Sequence, residues 1–259
     1  MKLHHSLLAA AAALAFCTAQ AQTVIDQAKA VAGGITPGDA PGFPITLSLP
    51  GSYKLTSSLQ APAGVSAIVI TASGVTLDLN SFDIRGTNPC TGWGTTIKCN
   101  IAAGPDQGIE AAPGVSDVRV HNGTVWQFGG TAIKLNERSM LSQLHVTMSG
   151  GQSAIVVGED SLLTGVTAYR NLSTGIQAFL GGLIVDSQSD GNGKIGISVS
   201  LGTSGSLVAN NRANKNGGGG MRSYGTFTNF VDNLADDPGF TGIAGGLSTA
   251  GNYCNGQAC

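Results

Sequence analysis

Residues able to do chemistry are few in this sequence. Past residue 21 it holds two histidines, His121 and His145, 24 positions apart. Imidazole changes charge near neutral pH, so an exposed pair that meets in space could assist acid–base work or touch a ligand. The plainer role is a surface or corner position. Lys134 and Arg222 each follow an apolar residue that reads as inward-facing, which turns them outward. There they could meet the carboxylate of an anionic glycan, or simply keep the face soluble. His121, His145, Lys134 and Arg222 are therefore the ligand-contact candidates, and no catalytic residue is assigned. Arg170, Arg212 and Lys215 sit beside Asn-rich turns, where solvated turn positions are the better reading. Trp126 and Phe128 could offer a ring to a sugar, but packing inside the molecule or under a loop is favoured.

Carboxylates are scattered. Glu159 and Asp160 are adjacent but alone in their segment. Asp186 and Asp190 lie close together, and Asp232, Asp236 and Asp237 lie near the end. None recurs at a fixed period, so no metal site is assigned and no cofactor is expected; calcium is the one ion these groups leave open. In "IVITASGVTLDLNSFDIRG", Val75, Leu77 and Leu79 alternate with polar residues. Asp78 then points away from the apolar face and, with Asn80, bonds the following turn. A lone carboxylate cannot supply the separated pair that a glycosidase uses.

What must position these groups follows from composition. Glycine is 39 of 259 residues and aromatics only 5%, yet 42% are hydrophobic. That is too apolar for disorder and fits many short strands joined by tight turns. The formal net charge is −2 with no basic block, which argues against a nucleic-acid partner. It does not exclude an anionic sugar polymer, because a few local cations suffice to hold a carboxylate. The first residues, "MKLHHSLLAAAAALAFCTAQAQT", combine Lys2, an apolar run and Ala19-Gln20-Ala21, which reads as a signal peptide over 1–21 and an exported protein, periplasmic or extracellular. A lipid anchor on Cys17 is disfavoured by bulky Phe16 before it. No later stretch is long and apolar enough to cross a bilayer as a helix.

Export permits disulfides. Four cysteines past the leader allow three complete connectivities. The local one, Cys90–Cys99 and Cys254–Cys259, is favoured because each pair lies in its own Gly/Asn/Thr-rich loop. A zinc site is the weaker alternative.

The chain repeats. Segments beginning at Gly108, Ala132, Ala154, Gly175, Gly196 and Gly220 place Ile109, Ile133, Ile155, Ile176, Ile197 and Met221 at spacings of 24, 22, 21, 21 and 24. About 11 residues on, Leu144, Val166 and Val208 suggest a second column, which Ser187 interrupts. Asn171 and Asn192 share one phase. A unit of this length cannot bury its apolar face alone, but stacked units can. The expected fold is all-β, a single-stranded right-handed parallel β-helix of roughly eight coils with a short N-terminal capping helix. A leucine-rich horseshoe lacks its Leu ladder here, and a β-sandwich would not share a common period.

The expected organisation is signal peptide 1–21, N-terminal cap 22–43, β-helix 44–233, and a disulfide-tied tail or cap 234–259. In the cap, Val24, Ala28 and Val31 would share a helical face, with Thr23 as cap and Gly33 as stop.

"GSYKLTSSL", "GVTLDLNSFDIRG" and the repeated "GI…V…N" units resemble secreted bacterial right-handed parallel β-helix repeat proteins of the pectate-lyase-like superfamily. The resemblance spans roughly residues 44–233 and speaks to fold more than to activity. It implies pectate lyases, polygalacturonases, uronan epimerases and tailspikes as relatives. Lyases of this kind use calcium on clustered aspartates and a basic residue as base; the cluster is missing here. The hydrolase-like pattern of Asn-Thr-Asp, Asp-Asp, Gly-His and Arg-Ile-Lys is not met, since Asp236-Asp237 falls in the terminal segment and neither histidine follows a glycine. The epimerase-like Asp-Pro-His is absent, Asp237-Pro238 being followed by Gly239. Two functions follow. The first is a secreted β-helix protein for extracellular or envelope interaction, binding polysaccharide without a recognisable catalytic centre. The alternative is an acidic-polysaccharide lyase or epimerase-like enzyme.

Overall fold

A computed structural model describes residues 22–101, 106–200, 205–237, 239 and 241–259. The leader assigned to 1–21 lies outside the described residues. The chain winds as a right-handed parallel β-helix, each coil contributing three short strands that pair in parallel with their equivalents one coil on. One sheet contains nine such strands, from Ile45–Leu47 to Ile243–Ala244, one coil more than the sequence period suggested.

The register explains why the period survives. In the nine-stranded sheet Ile45, Ile68, Ile109, Ile133, Ile155, Ile176, Ile197, Met221 and Ile243 stand one above another. The isoleucines from Ile45 to Ile197 are fully buried. A one-residue slip would turn a whole strand's apolar set to solvent, so each coil locks the next. Each isoleucine buried this way contributes about 2–3 kcal/mol. A second column holds Tyr53, Leu77, Val120, Leu141, Leu163, Ile184, Val208 and Phe230. A third runs Leu59, Ile84, Val125, Val146 and Ala168, then narrows to Ser189, Ala213 and Ala235. Val75, Leu77 and Leu79 are buried as their alternation predicts. Asp78 faces out and accepts a hydrogen bond from the Asn80 backbone N–H at 2.7 Å.

One sequence column needs correction. Val208 belongs beside Ile184, while Leu144 and Val166 continue into Ser187, Asn211 and Asn233 at the corner between the second and third strands. Ser187 therefore does not interrupt its column; it ends the apolar part. Its hydroxyl oxygen accepts from the Val166 N–H at 3.2 Å, and its own N–H donates to Asn211 Oδ1 at 2.9 Å.

The ends also differ from expectation. The helix is Gln27–Ala32, capped by Asp26, whose carboxylate accepts from the Lys29 N–H. Thr23 and Val24 instead form a strand, Thr23–Ile25, that pairs with Gly51–Leu55. An extended start bonds to an open sheet edge, which a helical turn there could not do. Ala30 is the helix residue that packs on the core, and Val31 is exposed. Gly33 stops the helix at φ 72°. Past Asn233 the coils continue: Leu234–Asp236 pairs with Arg212–Asn214, and Tyr253–Cys254 pairs with Leu234 and Ala235 before turning back antiparallel on Gln257–Ala258. Both local disulfides are formed, Cys90–Cys99 and Cys254–Cys259. Among the described residues no helix is long and apolar enough to cross a membrane.

Candidate functional site

The corner that leads from the third strand back to the first is built from two adjacent columns. One points inward: Phe128, Ser149, Asn171, Asn192, Asn216 and Asp237. From Asn171 onward it forms an amide ladder. The N–H of Asn171 donates to Asn192 Oδ1 at 3.0 Å, and the N–H of Asn192 donates to Asn216 Oδ1 at 3.0 Å. Each asparagine Nδ2 also donates to a carbonyl on the preceding coil. The column immediately before it holds Gln127, Met148, Arg170, Gly191 and Lys215, all at positive φ. This conformation is natural for Gly191 and costs a side-chain-bearing residue on the order of 1–2 kcal/mol. Arg170, at φ 53°, and Lys215, at φ 56°, are held there by the ladder behind them.

An insertion covers this corner. Its two ends are stitched to one coil: the Asn88 N–H donates to the Gln127 carbonyl at 2.9 Å, and Asp106 Oδ1 accepts from the Gly129 N–H at 2.7 Å and from Asn88 Nδ2 at 3.0 Å. Burial pushes the Asp106 carboxyl above its ordinary pKa, opposed by those hydrogen bonds. The described part of the insertion then runs along the stack. The Gly94 N–H donates to the Gly191 carbonyl at 2.7 Å. A Cβ on Gly193 would stand 2.0 Å from the Leu172 carbonyl oxygen of the preceding coil and 3.0 Å from Ile97 Cγ2, so glycine there serves the coil stacking first and also leaves room for the insertion. The Cys90–Cys99 bridge closes its base.

Between insertion and corner lie two adjoining hollows of about 410 and 400 Å³ that share Trp93 and Lys215. The larger is walled by Tyr169, Arg170, Asp190, Gly191 and Arg212. Each unpaired cation has its own ring. The Arg170 guanidinium lies 5.1 Å from the centre of the Tyr169 ring, and Lys215 Nζ lies 5.8 Å from that of Trp93. Arg170 Nε is buried without a hydrogen-bond partner. Asp190, only 6% exposed, accepts from Arg212, from Gln188 Nε2 and from the Asn214 N–H. It thus neutralises Arg212 and leaves Arg170 and Lys215 to set a positive groove. Trp93 is 48% exposed above it. Rings flanked by unpaired cations suit the apolar faces and carboxylates of an acidic sugar chain.

The four sequence candidates are not brought together here. Lys134 and Arg222 both stand on the outer face of the nine-stranded sheet, in one column with Val156, Gln177 and Ser198 between them. Arg222 lies over Tyr224 at 5.9 Å. His121 and His145 do not stack: His121 is paired with Ser142 and His145 with Thr124, three residues out of register. Their spacing exceeds the local coil by those residues. His121 Nδ1 lies 3.7 Å from Asp78 Oδ1. His145 stands on an outer face, where crowding by its neighbours lowers its pKa. Phe128 is fully buried, and Trp126 packs under Arg85 at 5.3 Å. Among the described residues no group of three or more His, Cys, Asp or Glu converges as a metal site would need.

The cations that do meet, Arg170, Arg212 and Lys215, read as turn fillers in the sequence. One signal could have found them: Arg170, Gly191 and Lys215 each immediately precede a ladder asparagine. Trp93 carries no such mark, since its insertion lies outside the period.

A stack of three-stranded parallel coils with amide ladders defines the class. The chain belongs to the right-handed β-helix region family, which it matches over residues 107–256. Among solved structures it is similar to the Dettilon tailspike protein, at 14% identity and TM-score 0.44, over 81% of this chain and 58% of that one. It is also similar to the Azotobacter vinelandii mannuronan C-5 epimerase AlgE4 A-module, at 17% identity and TM-score 0.45, over 74% of this chain and 58% of that one. The alginate lyase AlyF-OU02, in complex with G6, aligns at 13% identity and TM-score 0.27, over 90% of this chain and 62% of that one. The chain thus spans about three fifths of the length of these structures. No curated protein matches the sequence.

Proposed function

We propose that this is an exported protein that acts on acidic polysaccharide, binding the sugar chain in the groove between the Trp93 insertion and the corner at Arg170, Gly191 and Lys215. The observation that carries the reading is the pairing of each unneutralised cation with an aromatic ring, Tyr169 on the corner and Trp93 on the insertion. The cations draw carboxylates, and the rings take the sugar's C–H faces. Titration calorimetry with alginate, pectate and hyaluronan oligosaccharides, against a neutral glucan, tests it. Binding of the acidic chains, weakened by salt and by Arg170→Gln or Lys215→Gln, is the expected result. Equal binding of the neutral glucan would remove the electrostatic basis.

Catalysis by elimination or epimerisation is the second reading, and Tyr169 favours it. Its phenol lies in the groove with a guanidinium against the ring. Such a pair would supply a cation to neutralise the carboxylate and, once the phenol has given up its proton, a phenolate to take the proton from the adjacent carbon; in elimination the phenol so formed returns that proton to the departing glycosidic oxygen. Ultraviolet absorbance from unsaturated uronate ends reports elimination, and proton exchange with solvent at that carbon reports epimerisation. Either activity should vanish in Tyr169→Phe while binding persists. Silence in both assays leaves a binding protein.

A further inference from the structure

We infer that an acidic polysaccharide held in the groove continues along the outer face formed by the third strand of each coil, to a second carboxylate anchor at Arg85. This rests on the groove binding acidic polysaccharide, and adds to it a direction and a second site. The register defines the face. Ile84, Val125, Val146 and Ala168 are inward and fully buried, so the residues on either side of each point out. Arg85, Trp126, Thr147, Tyr169 and Asp190 therefore stand in one outward column. Beside it runs a second, with Asp83, Thr124, His145, Thr167, Gln188 and Arg212. Tyr169, Asp190 and Arg212 are walls of the groove. Arg85 is three coils from Tyr169 in the same column, their strands about 14 Å apart.

The far end repeats the arrangement at Arg170. The Arg85 guanidinium lies 5.3 Å from the centre of the Trp126 ring, as that of Arg170 lies over Tyr169. Its Nε donates to Gln60 Oε1, and among the described residues it makes no ion pair. Ring and amide together fix the plane of the guanidinium, and its two terminal nitrogens remain to take a carboxylate. A hollow of about 250 Å³ opens beside it, walled by Ser58, Gln60, Asp83, Arg85 and Trp126. Asp83 carries a charge of the ligand's own sign, which ends the face at that coil. The outward residues on the strands from Trp126 to Tyr169 include no carboxylate. Thr124, Thr147 and Thr167 offer hydroxyls to those of a sugar, and His145, whose pKa burial lowers, is uncharged at neutral pH.

Calorimetry tests this with a disaccharide and a long oligosaccharide of whichever polymer among alginate, pectate and hyaluronan binds best. Arg85→Gln should weaken the long chain about tenfold and leave the disaccharide unchanged, whereas Arg170→Gln should weaken both. Lys134→Ala, which removes the same charge from a different sheet, should change neither. The protein's two tryptophans add a second readout. In Trp93→Phe the remaining indole is Trp126. Saturation with the long chain should shift its emission, and saturation with the disaccharide should not. A loss in Arg85→Gln no larger than that in Lys134→Ala, an equal loss for the disaccharide, or an indole that does not respond to the long chain overturns the second anchor. The groove reading then stands on Arg170→Gln alone. No binding of any of the three polymers to the folded protein overturns both.

Discussion

The two inward corner columns of this solenoid begin as one kind of material and end as another. At the corner between second and third strands the column runs Leu144, Val166, Ser187, Asn211, Asn233 and Asn252. At the next corner it runs Phe128, Ser149, Asn171, Asn192, Asn216 and Asp237. In both, apolar residues give way to amides through a serine. A hydroxyl is small enough to stack under an apolar neighbour and polar enough to meet an amide. Ser187 does both through its Val166 and Asn211 contacts, and the Ser149 N–H donates to Asn171 Oδ1 at 2.9 Å. In the apolar half, corners are held by side chains filling the interior. In the amide half they are held by hydrogen bonds within the backbone column, and the interior narrows to Ala168, Ser189, Ala213 and Ala235. The groove lies on the amide half, where the corner residues facing outward are free to be cationic.

If the ladder holds that half, removing one rung should be the most damaging change. Asn192 Oδ1 accepts from both the N–H and Nδ2 of Asn171, while its own Nδ2 donates to the Ala168 carbonyl, Ser189 Oγ and Asn216 Oδ1. Asn192→Ala leaves the Asn171 N–H without its acceptor, takes one of the two acceptors of Asn171 Nδ2, and removes a donor from the Ala168 carbonyl, a loss of about 5 kcal/mol. Ile176→Ala, in the purely apolar column, should cost about 3–4 kcal/mol through lost transfer energy and a cavity. Denaturant unfolding of both variants checks the order. A rung costing less than the isoleucine would mean that the amides decorate a corner that packing already holds.

One rung of that ladder, continued by the Asp237 N–H donating to Asn255 Oδ1 at 2.9 Å, sharpens the comparison. Asp237 stands where the others are asparagine. One carboxylate oxygen accepts from the Asn216 N–H, and Oδ2 is buried without a partner. In the preceding rungs that place is an Nδ2 donating to the carbonyls of Val146, Ala168 and Ser189 in turn. Burial raises the Asp237 pKa from 3.8 to about 6, against the pull of its Asn216 hydrogen bonds; the charges of Asp190 and Asp236 raise it further. Between those two values the folded chain holds a proton that the unfolded chain has lost. Stability therefore falls as pH rises from about 4 to about 6, and above that the native state carries a penalty on the order of 3 kcal/mol. Asp237→Asn should recover most of this at neutral pH and flatten that part of the profile. Melting temperatures across the range test it, and equal gains at acid and neutral pH would contradict it.

Much of this architecture was readable beforehand, because stacking writes its period into the sequence. The spacing of Ile133, Ile155, Ile176 and Ile197 is the coil, and the register of the sheet repeats it. The corner at Ser187 was misread because its column changes chemistry, and a search for apolar recurrence stops at the first hydroxyl. The N-terminal helix was placed too early because Val24 fits a helical pattern, yet the exposed edge of the first coil offers it a strand to pair with. The groove was hidden for a different reason. Period shows which residues share a coil position, but which insertion folds over them depends on close approach. That approach at Gly193 and Gly191 is visible only in three dimensions.

The smallest expected effect separates the groove from the face that the sequence suggested. Lys134 and Arg222 lie on the outer side of the nine-stranded sheet, four coils and about 19 Å apart, a distance at which exposed charges are largely screened at physiological salt. Lys134 is exposed, and Arg222 rests on a Tyr224 that is itself 49% exposed. Lys134→Ala and Arg222→Ala should each move stability by less than about 0.5 kcal/mol. Neither should change the affinity for an acidic oligosaccharide at moderate salt. The informative control is Arg170→Gln measured under the same conditions, since it removes one cation of equal charge from the groove. If Lys134→Ala weakened binding as much as Arg170→Gln does, the sugar chain would run along the sheet face. The pairing of cation and ring at the corner would then be a device for holding the insertion in place.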